Sequence, residues 1–182
     1  VYQLEEHIFL IGFMGVGKST IARILSKMLG VREYDTDRMI VAREGREISK
    51  IFEEDGELAF RKMETDLLED LKGYKPSIIA CGGGVAMRTE NVESMKRQGK
   101  ILLLTASPET IYAHVKDSTN RPLLKGRMSV EGIAELMAKR EPKYMAAADI
   151  CMLTDGMTPR MVAEKIVEIL ENSTPVSLET QK

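Results

Sequence analysis

The sequence predicts an α/β fold, a parallel sheet flanked by helices, on three observations. Short apolar runs alternate with stretches of helical periodicity. A glycine-rich segment, Gly12 to Ser19, lies between the first of those runs and the first helical stretch, which is where a phosphate-binding loop belongs. The length, 182 residues, suits about one domain at ~100–200 residues each and is short of the ~250 of a TIM barrel.

Taken in order, His7-Ile-Phe-Leu-Ile11 reads as a buried strand. Lys18 to Leu29 reads as a helix, with Ile21, Ile24, Leu25, Met28 and Leu29 on one face and Gly30 to end it. Glu33 to Asp35 is a short second strand. From Thr36 to about Lys72 the chain is helical and charged without a strong strand, an insertion (36–72) between strands two and three. Ser77 to Cys81 is the third strand and runs into three glycines, and Lys100 to Leu104 is the fourth. Ser107-Pro108 opens a helix, serine as N-cap and proline at the first helical position. The polar stretch from Lys116 to Arg127 holds Pro122 and Gly126 and reads as a mobile loop, a lid over 116–127. Ser129 to Tyr144 is helical, Asp149 to Leu153 is the fifth strand, and Thr158-Pro159 opens the last helix. One domain thus spans 1–171, and the polar tail 172–182 is expected to be disordered.

Composition narrows the function. Apolar residues make up 43% and charged residues 30%, as in a soluble globular chain. Lys and Arg number 26 against 28 Asp and Glu, a net charge of −2, which argues against a nucleic-acid partner held by bulk electrostatics. No apolar run approaches the ~20 residues of a membrane span, and Val-Tyr-Gln-Leu-Glu-Glu lacks the basic start of a signal peptide. Cys81 and Cys151 sit in apolar segments and read as two reduced core thiols of a cytoplasmic protein. His7 and His114 show no metal-ligand spacing.

Gly12-Phe-Met-Gly15-Val16-Gly17-Lys18-Ser19 matches G-x-x-x-x-G-K-S. Glycines let backbone amides turn inward around phosphate oxygens, and the helix N-terminus adds positive potential. Lys18 can reach the β- and γ-phosphates, and the Ser19 hydroxyl can ligate Mg²⁺. The segment predicts a nucleoside-triphosphate binder. It leaves open whether the phosphate goes to water, to a small molecule or nowhere.

Asp35-Thr-Asp37 closes the second strand. Residues i and i+2 of a strand face one way, so both carboxylates fall in the crevice where α/β ligands bind. One can organise Mg²⁺ and its waters, the other can take a proton from an attacking hydroxyl; alternatively Asp37 is a helix N-cap. Arg61 and Glu64 are i, i+3 neighbours on a helix, a spacing that alone favours a solvated surface pair worth ~0.2–0.5 kcal/mol. Gly82-Gly83-Gly84 is either a place of close backbone approach to a ligand or a flexible connection. Arg121 can swing over phosphates from its loop, or be an ordinary solvated arginine. Arg140 falls in the apolar register Ile133, Leu136, Met137, Arg140, Tyr144, where a cation needs a partner anion, from protein or ligand, unless it snorkels from the core's edge.

Gly12–Ser19, Asp35-Thr-Asp37, Phe60-Arg61-x-x-Glu64, Gly82-Gly83-Gly84, Arg121-Pro-Leu-Leu and Arg140-x-x-x-Tyr144, in this order from about residue 7 to 170, closely resemble the pattern of the shikimate kinases. The phosphate loop is shared by many NTPases; the combination is far more specific. The resemblance implies a three-layer P-loop kinase fold of the nucleoside monophosphate kinase type, with a five-stranded parallel sheet in order 2-3-1-4-5. It implies a phosphotransferase that moves the ATP γ-phosphate to the 3-hydroxyl of shikimate, on the route to chorismate and the aromatic amino acids. By that likeness Asp37, Arg61, the Gly82–Gly84 turn and Arg140 hold shikimate, and Phe52, Phe60 and Glu64 line or brace its pocket. Gly12, Gly15, Val16, Gly17, Lys18, Ser19, Thr20, His114 and Arg121 hold ATP, Ser19 and Asp35 serve Mg²⁺, Asp35 through water, and Lys18, Asp37 and Arg121 carry the transfer. The segment from Thr154 to Pro159 serves the adenine side. Where the family often carries an adenine-stacking arginine, this chain has His114, whose ring can stack without a fixed charge. Partners expected are ATP and shikimate, with no nucleic acid or membrane, and a monomer is expected. The rival readings are another small-molecule kinase of the same fold, such as a gluconate or nucleoside monophosphate kinase, and a silent ATP-binding module.

Overall fold

The computed structural model describes residues 2–117, 124, 126 and 128–173. Arg121, most of the expected lid and the tail beyond Ser173 lie outside the described residues.

Five parallel strands form one sheet, β1 (His7–Ile11), β2 (Glu33–Asp35), β3 (Ile78–Ala80), β4 (Gly99–Thr105) and β5 (Ile150–Leu153), in spatial order β2-β3-β1-β4-β5. This is the order the resemblance implies. β1 is buried throughout, as expected of a central parallel strand covered on both faces. The helices are α1 (Lys18–Leu29), α2 (Thr36–Glu44), α3 (Ile48–Glu54), α4 (Glu57–Asp70), α5 (Thr89–Gln98), α6 (Pro108–Val115), α7 (Val130–Ala147) and α8 (Pro159–Ser173). Among the described residues no helix is long and apolar enough to cross a membrane.

The charged stretch 36–72 resolves into α2, α3, α4 and the start of a 3₁₀ turn, Leu71–Gly73. Its own small core, Ile40, Ile51, Phe60 and Leu67, is separate from the main one on the sheet. Three expectations need correcting, the first being a core position for Cys151, which on the edge strand β5 is exposed while Cys81 is buried. The sequence reading has no helix between the third and fourth strands, yet α5 is there. Its inner face carries Asn91 and Ser94 as well as Met95, so apolar periodicity understates it. Asn91 donates to the Val85 carbonyl at 2.9 Å and accepts from Thr65 at 2.8 Å, which offsets the cost of burying its amide. Asn172 and Ser173, expected in the disordered tail, are instead the last residues of α8.

Every segment that follows a strand leaves the sheet at its carboxyl edge: residues 12–17 after β1, Asp35 at the tip of β2, Cys81–Gly84 after β3 and Thr154 after β5. That edge is where ligands bind in open α/β sheets.

Candidate active site

A single cleft of about 1210 Å³ runs along that edge. At one end it is lined by residues 14–20, Thr110, His114 and Thr154; at the other by Asp37, Phe52, Phe60, Arg61, Glu64, Gly82–Gly84 and Arg140.

The first end is built by the Gly12–Ser19 loop. Gly12, Gly15 and Gly17 have φ of 146°, 80° and 102°, conformations that glycine adopts without steric cost. Gly17 is the N-cap of α1 and, among the described residues, no side chain caps that end, so the helix's first amides are left for a ligand, with the positive end of its dipole behind them. Lys18 donates to the carbonyls of Gly12 at 2.6 Å and Phe13 at 3.0 Å, which fixes its ammonium over the loop. The Ser19 hydroxyl donates to the Asp35 carboxylate.

Asp35 and Asp37 reach the cleft by a different route from the one the strand pattern suggests. β2 ends at Asp35, and Asp37 lies in the first turn of α2. Asp35, not Asp37, is the N-cap: its Oδ1 accepts from the amides of Asp37 at 3.0 Å and Arg38 at 3.2 Å while Oδ2 accepts from Ser19. Both carboxylates still line the cleft. Thr36 between them is fully buried, and its hydroxyl accepts from the Gly82 amide at 2.8 Å, tying α2 to the glycine turn. No motif logic marks Thr36 as functional.

Arg61 and Glu64 are not a surface pair. Glu64 falls on the buried stripe of α4 with Phe60, Leu67 and Leu68; its side chain is 0% exposed and that of Arg61 13%. Arg61 Nη1 donates to Glu64 Oε1 at 2.7 Å and Nη2 to Glu57 at 3.2 Å. The guanidinium also lies 5.3 Å from the Phe60 ring centre and 5.9 Å from that of Phe52, within cation–π range. Glu64 Oε2 is buried and has no hydrogen-bond partner among the described residues. Burial pushes the Glu64 carboxyl up to about 7 against the pull of Arg61, and the Asp37 carboxylate adds to the rise.

Arg140 is buried, as its register predicts, and is flanked on α7 by buried Tyr144. Its guanidinium stands 5.9 Å from the Phe13 ring centre, and Nη1 has no hydrogen-bond partner among the described residues. Tyr144 donates to the Gly83 carbonyl. Burial raises the Tyr144 phenol against the pull of Arg140, so it stays a neutral donor.

The glycine turn joins these groups. A Cβ on Gly82 would stand 2.5 Å from Asp37 Oδ1 and 3.0 Å from Glu64 Oε2. One on Gly83 would stand 2.9 Å from Arg140 Nη1, and one on Gly84 would overlap the Arg61 guanidinium. None of the three has a positive φ. They are small because charged side chains crowd them, a use the sequence does not distinguish from flexibility. The turn thus gathers two carboxylates and two guanidiniums and, among the described residues, leaves one buried oxygen and one buried nitrogen unpaired.

A shikimate kinase family model matches residues 14–171. The chain is 43% identical to a shikimate kinase of Thermodesulfovibrio yellowstonii over 91% of its own length and 95% of that protein's. The structure of a shikimate kinase from Acinetobacter baumannii in complex with shikimate superposes with a TM-score of 0.87 at 34% identity, covering 92% of this chain and 94% of that one. A gluconokinase from Sinorhizobium meliloti reaches a TM-score of 0.52 at 11% identity, a likeness of fold alone. On the sequence match, its coverage and the shared architecture, the chain belongs to the shikimate kinase family.

Proposed function

We propose that the protein transfers the γ-phosphoryl group of ATP to the 3-hydroxyl of shikimate, giving shikimate 3-phosphate and ADP. The observation that carries this reading is the pair of unsatisfied buried atoms about the glycine turn, Arg140 Nη1 and Glu64 Oε2. An unpartnered buried polar atom costs about 1–3 kcal/mol, a cost that a ligand with both a carboxylate and hydroxyls removes. Shikimate has both, as well as a ring that Phe52 and Phe60 can wall.

In this reading the substrate carboxylate lies between the guanidiniums of Arg61 and Arg140, whose planar forks suit it. Asp37 accepts the hydrogen bond of the attacking hydroxyl and takes its proton as the oxygen–phosphorus bond forms. The amides of Gly15 and of residues 17–20 and the Lys18 ammonium hold the phosphates. Arg121, outside the described residues, is assigned to the transferring phosphate on family likeness. Phosphoryl transfer needs chiefly alignment and charge neutralisation, so fixing the acceptor and the phosphates in one cleft accounts for most of what the protein must do.

Mg²⁺ is assigned to Ser19 and Asp35. Both offer hard oxygen atoms and they are already in contact. An ion of this kind is held by one or two protein oxygens together with the substrate's phosphates. When bound, such an ion neutralises phosphate charge.

ADP release measured with ATP, Mg²⁺ and shikimate, gluconate, AMP or no acceptor tests the assignment. ADP with shikimate alone is expected. ADP without acceptor would make the protein an ATPase, and ADP with gluconate or AMP would reassign the acceptor pocket. Silence with every acceptor despite ATP binding would favour a non-catalytic module.

A further inference from the structure

We infer that His114 is a positioning residue for the phosphate loop, holding the loop's tip on α6 through a hydrogen bond from its imidazole to the Gly15 carbonyl. The inference rests on residues 12–20 being the nucleotide site.

His114 Nδ1 lies 2.6 Å from the Gly15 oxygen. A carbonyl only accepts, so Nδ1 carries the proton, and neither stacking nor a positive charge is required for this contact. The loop also rests on α6 by shape. Gly15 has φ 80°, and a Cβ on it would stand 2.5 Å from Val115 Cγ1, with Ile111 Cγ2 at 3.7 Å and His114 Cβ at 3.8 Å.

The seat beneath is firm. Ile111 and Val115 are buried. α6 is capped by Ser107, which accepts from the Thr110 amide at 3.2 Å and is followed by Pro108. The Ser107 amide in turn donates to the Asp155 carboxylate at 3.1 and 3.2 Å.

The consequence runs through one peptide plane. The Gly15 carbonyl and the Val16 amide belong to the same trans peptide and point opposite ways. One end is held by His114; the other donates to the Phe13 carbonyl at 3.3 Å. That Phe13 carbonyl also accepts from Lys18 Nζ at 3.0 Å. His114 therefore fixes the turn whose carbonyl places the Lys18 ammonium. Loss of the bond lets the 15–16 peptide rotate and loosens Lys18, although His114 itself need not touch phosphate.

Two substitutions separate this role from base stacking. His114→Phe keeps a flat ring and loses the donor; His114→Asn keeps a donor close to Nδ1 and loses the ring. KM for ATP, KM for shikimate, kcat and direct ATP binding are measured on the full chain, with a thermal melt of each variant. His114→Phe is expected to raise KM and Kd for ATP about five- to tenfold, the range of one hydrogen bond, with KM for shikimate within about twofold. His114→Asn is expected to recover most of that loss. Any result in which Asn is no better than Phe overturns the inference, and Phe equal to His with Asn impaired would make His114 a stacking residue. Wild-type protein that binds no ATP would overturn the nucleotide-site reading itself, a failure visible before any variant is compared.

Discussion

Replacing Glu64 by glutamine keeps the side chain's shape and removes its charge. In the native fold the carboxyl has a pKa of about 7, against an ordinary 4.5. A group whose folded value is raised contributes stability that is complete below its unfolded value and is lost as pH climbs through the folded one. Glu64 therefore weakens the fold progressively from about pH 4.5 to 7. The full shift corresponds to about 3 kcal/mol, of which about 2–3 kcal/mol falls between pH 5 and 8. At ~2–4 °C per kcal/mol for a chain of this size, that is ~5–10 °C of melting temperature. Glu64→Gln escapes this loss, since its amide oxygen can still accept from Arg61 and its amide nitrogen can face the Asp37 carboxylate as a donor. Ligand-free thermal unfolding of both proteins at pH 5, 6, 7 and 8 is the assay, with the difference in melting temperature removing the titration of every other group. The variant should gain on the wild type as pH rises, by ~5–10 °C over the series. Parallel profiles would mean that Arg61 outweighs burial and that Glu64 is ionised throughout.

The same site makes three further predictions. Arg61→Lys keeps the charge and loses the fork; kcat/KM for shikimate should fall about 10–100-fold, the value of one charged hydrogen bond, with ATP binding spared, and an unchanged kcat/KM would remove Arg61 from the acceptor pocket. Gly84→Ala is compatible with the backbone, at φ −96°, but its methyl displaces the Arg61 guanidinium, so shikimate KM should rise while the melting temperature holds; the reverse pattern would make the turn a folding element only. Asp35→Asn retains an N-cap for α2 and loses the carboxylate, whereas Asp35→Ala loses both, so both should need more Mg²⁺ for half-maximal rate and only alanine should cost ~1 kcal/mol in denaturant unfolding.

β1, β3, β4, β5 and the loop between β1 and α1 are legible in the sequence because one local rule governs each, continuous apolar runs for those strands and glycine spacing for the loop, whereas β2, Glu-Tyr-Asp, carries no such run. Where two rules compete, local reading loses. The Asp35-Thr-Asp37 tripeptide fits a strand's alternation, yet two amides of the next helix need a cap and Asp35 supplies it, so the helix starts one residue before Asp37. The helix α5 hides because Asn91 and Ser94 occupy inward positions and are paid for by hydrogen bonds to partners distant in sequence.

The two most informative charges obey a single rule that is visible in the sequence and easily applied to only one of them. Arg140 sits in the apolar register of α7, and that register alone says it is buried and needs a partner. Glu64 sits in the register Phe60, Glu64, Leu67, Leu68 of α4 in the same way. Its i, i+3 neighbour Arg61 offers a ready account as a surface pair, which masks the register. The difference is that an ion pair explains only as many atoms as it satisfies. Arg61 reaches Glu64 Oε1 and leaves Oε2 unpaired, as Arg140 Nη1 is unpaired across the glycine turn. A buried charge with a partner still has to account for its remaining lone pairs and protons. At this turn that remainder, an acceptor beside Gly82 and a donor beside Gly83, specifies the polarity of the ligand more closely than either residue's identity does.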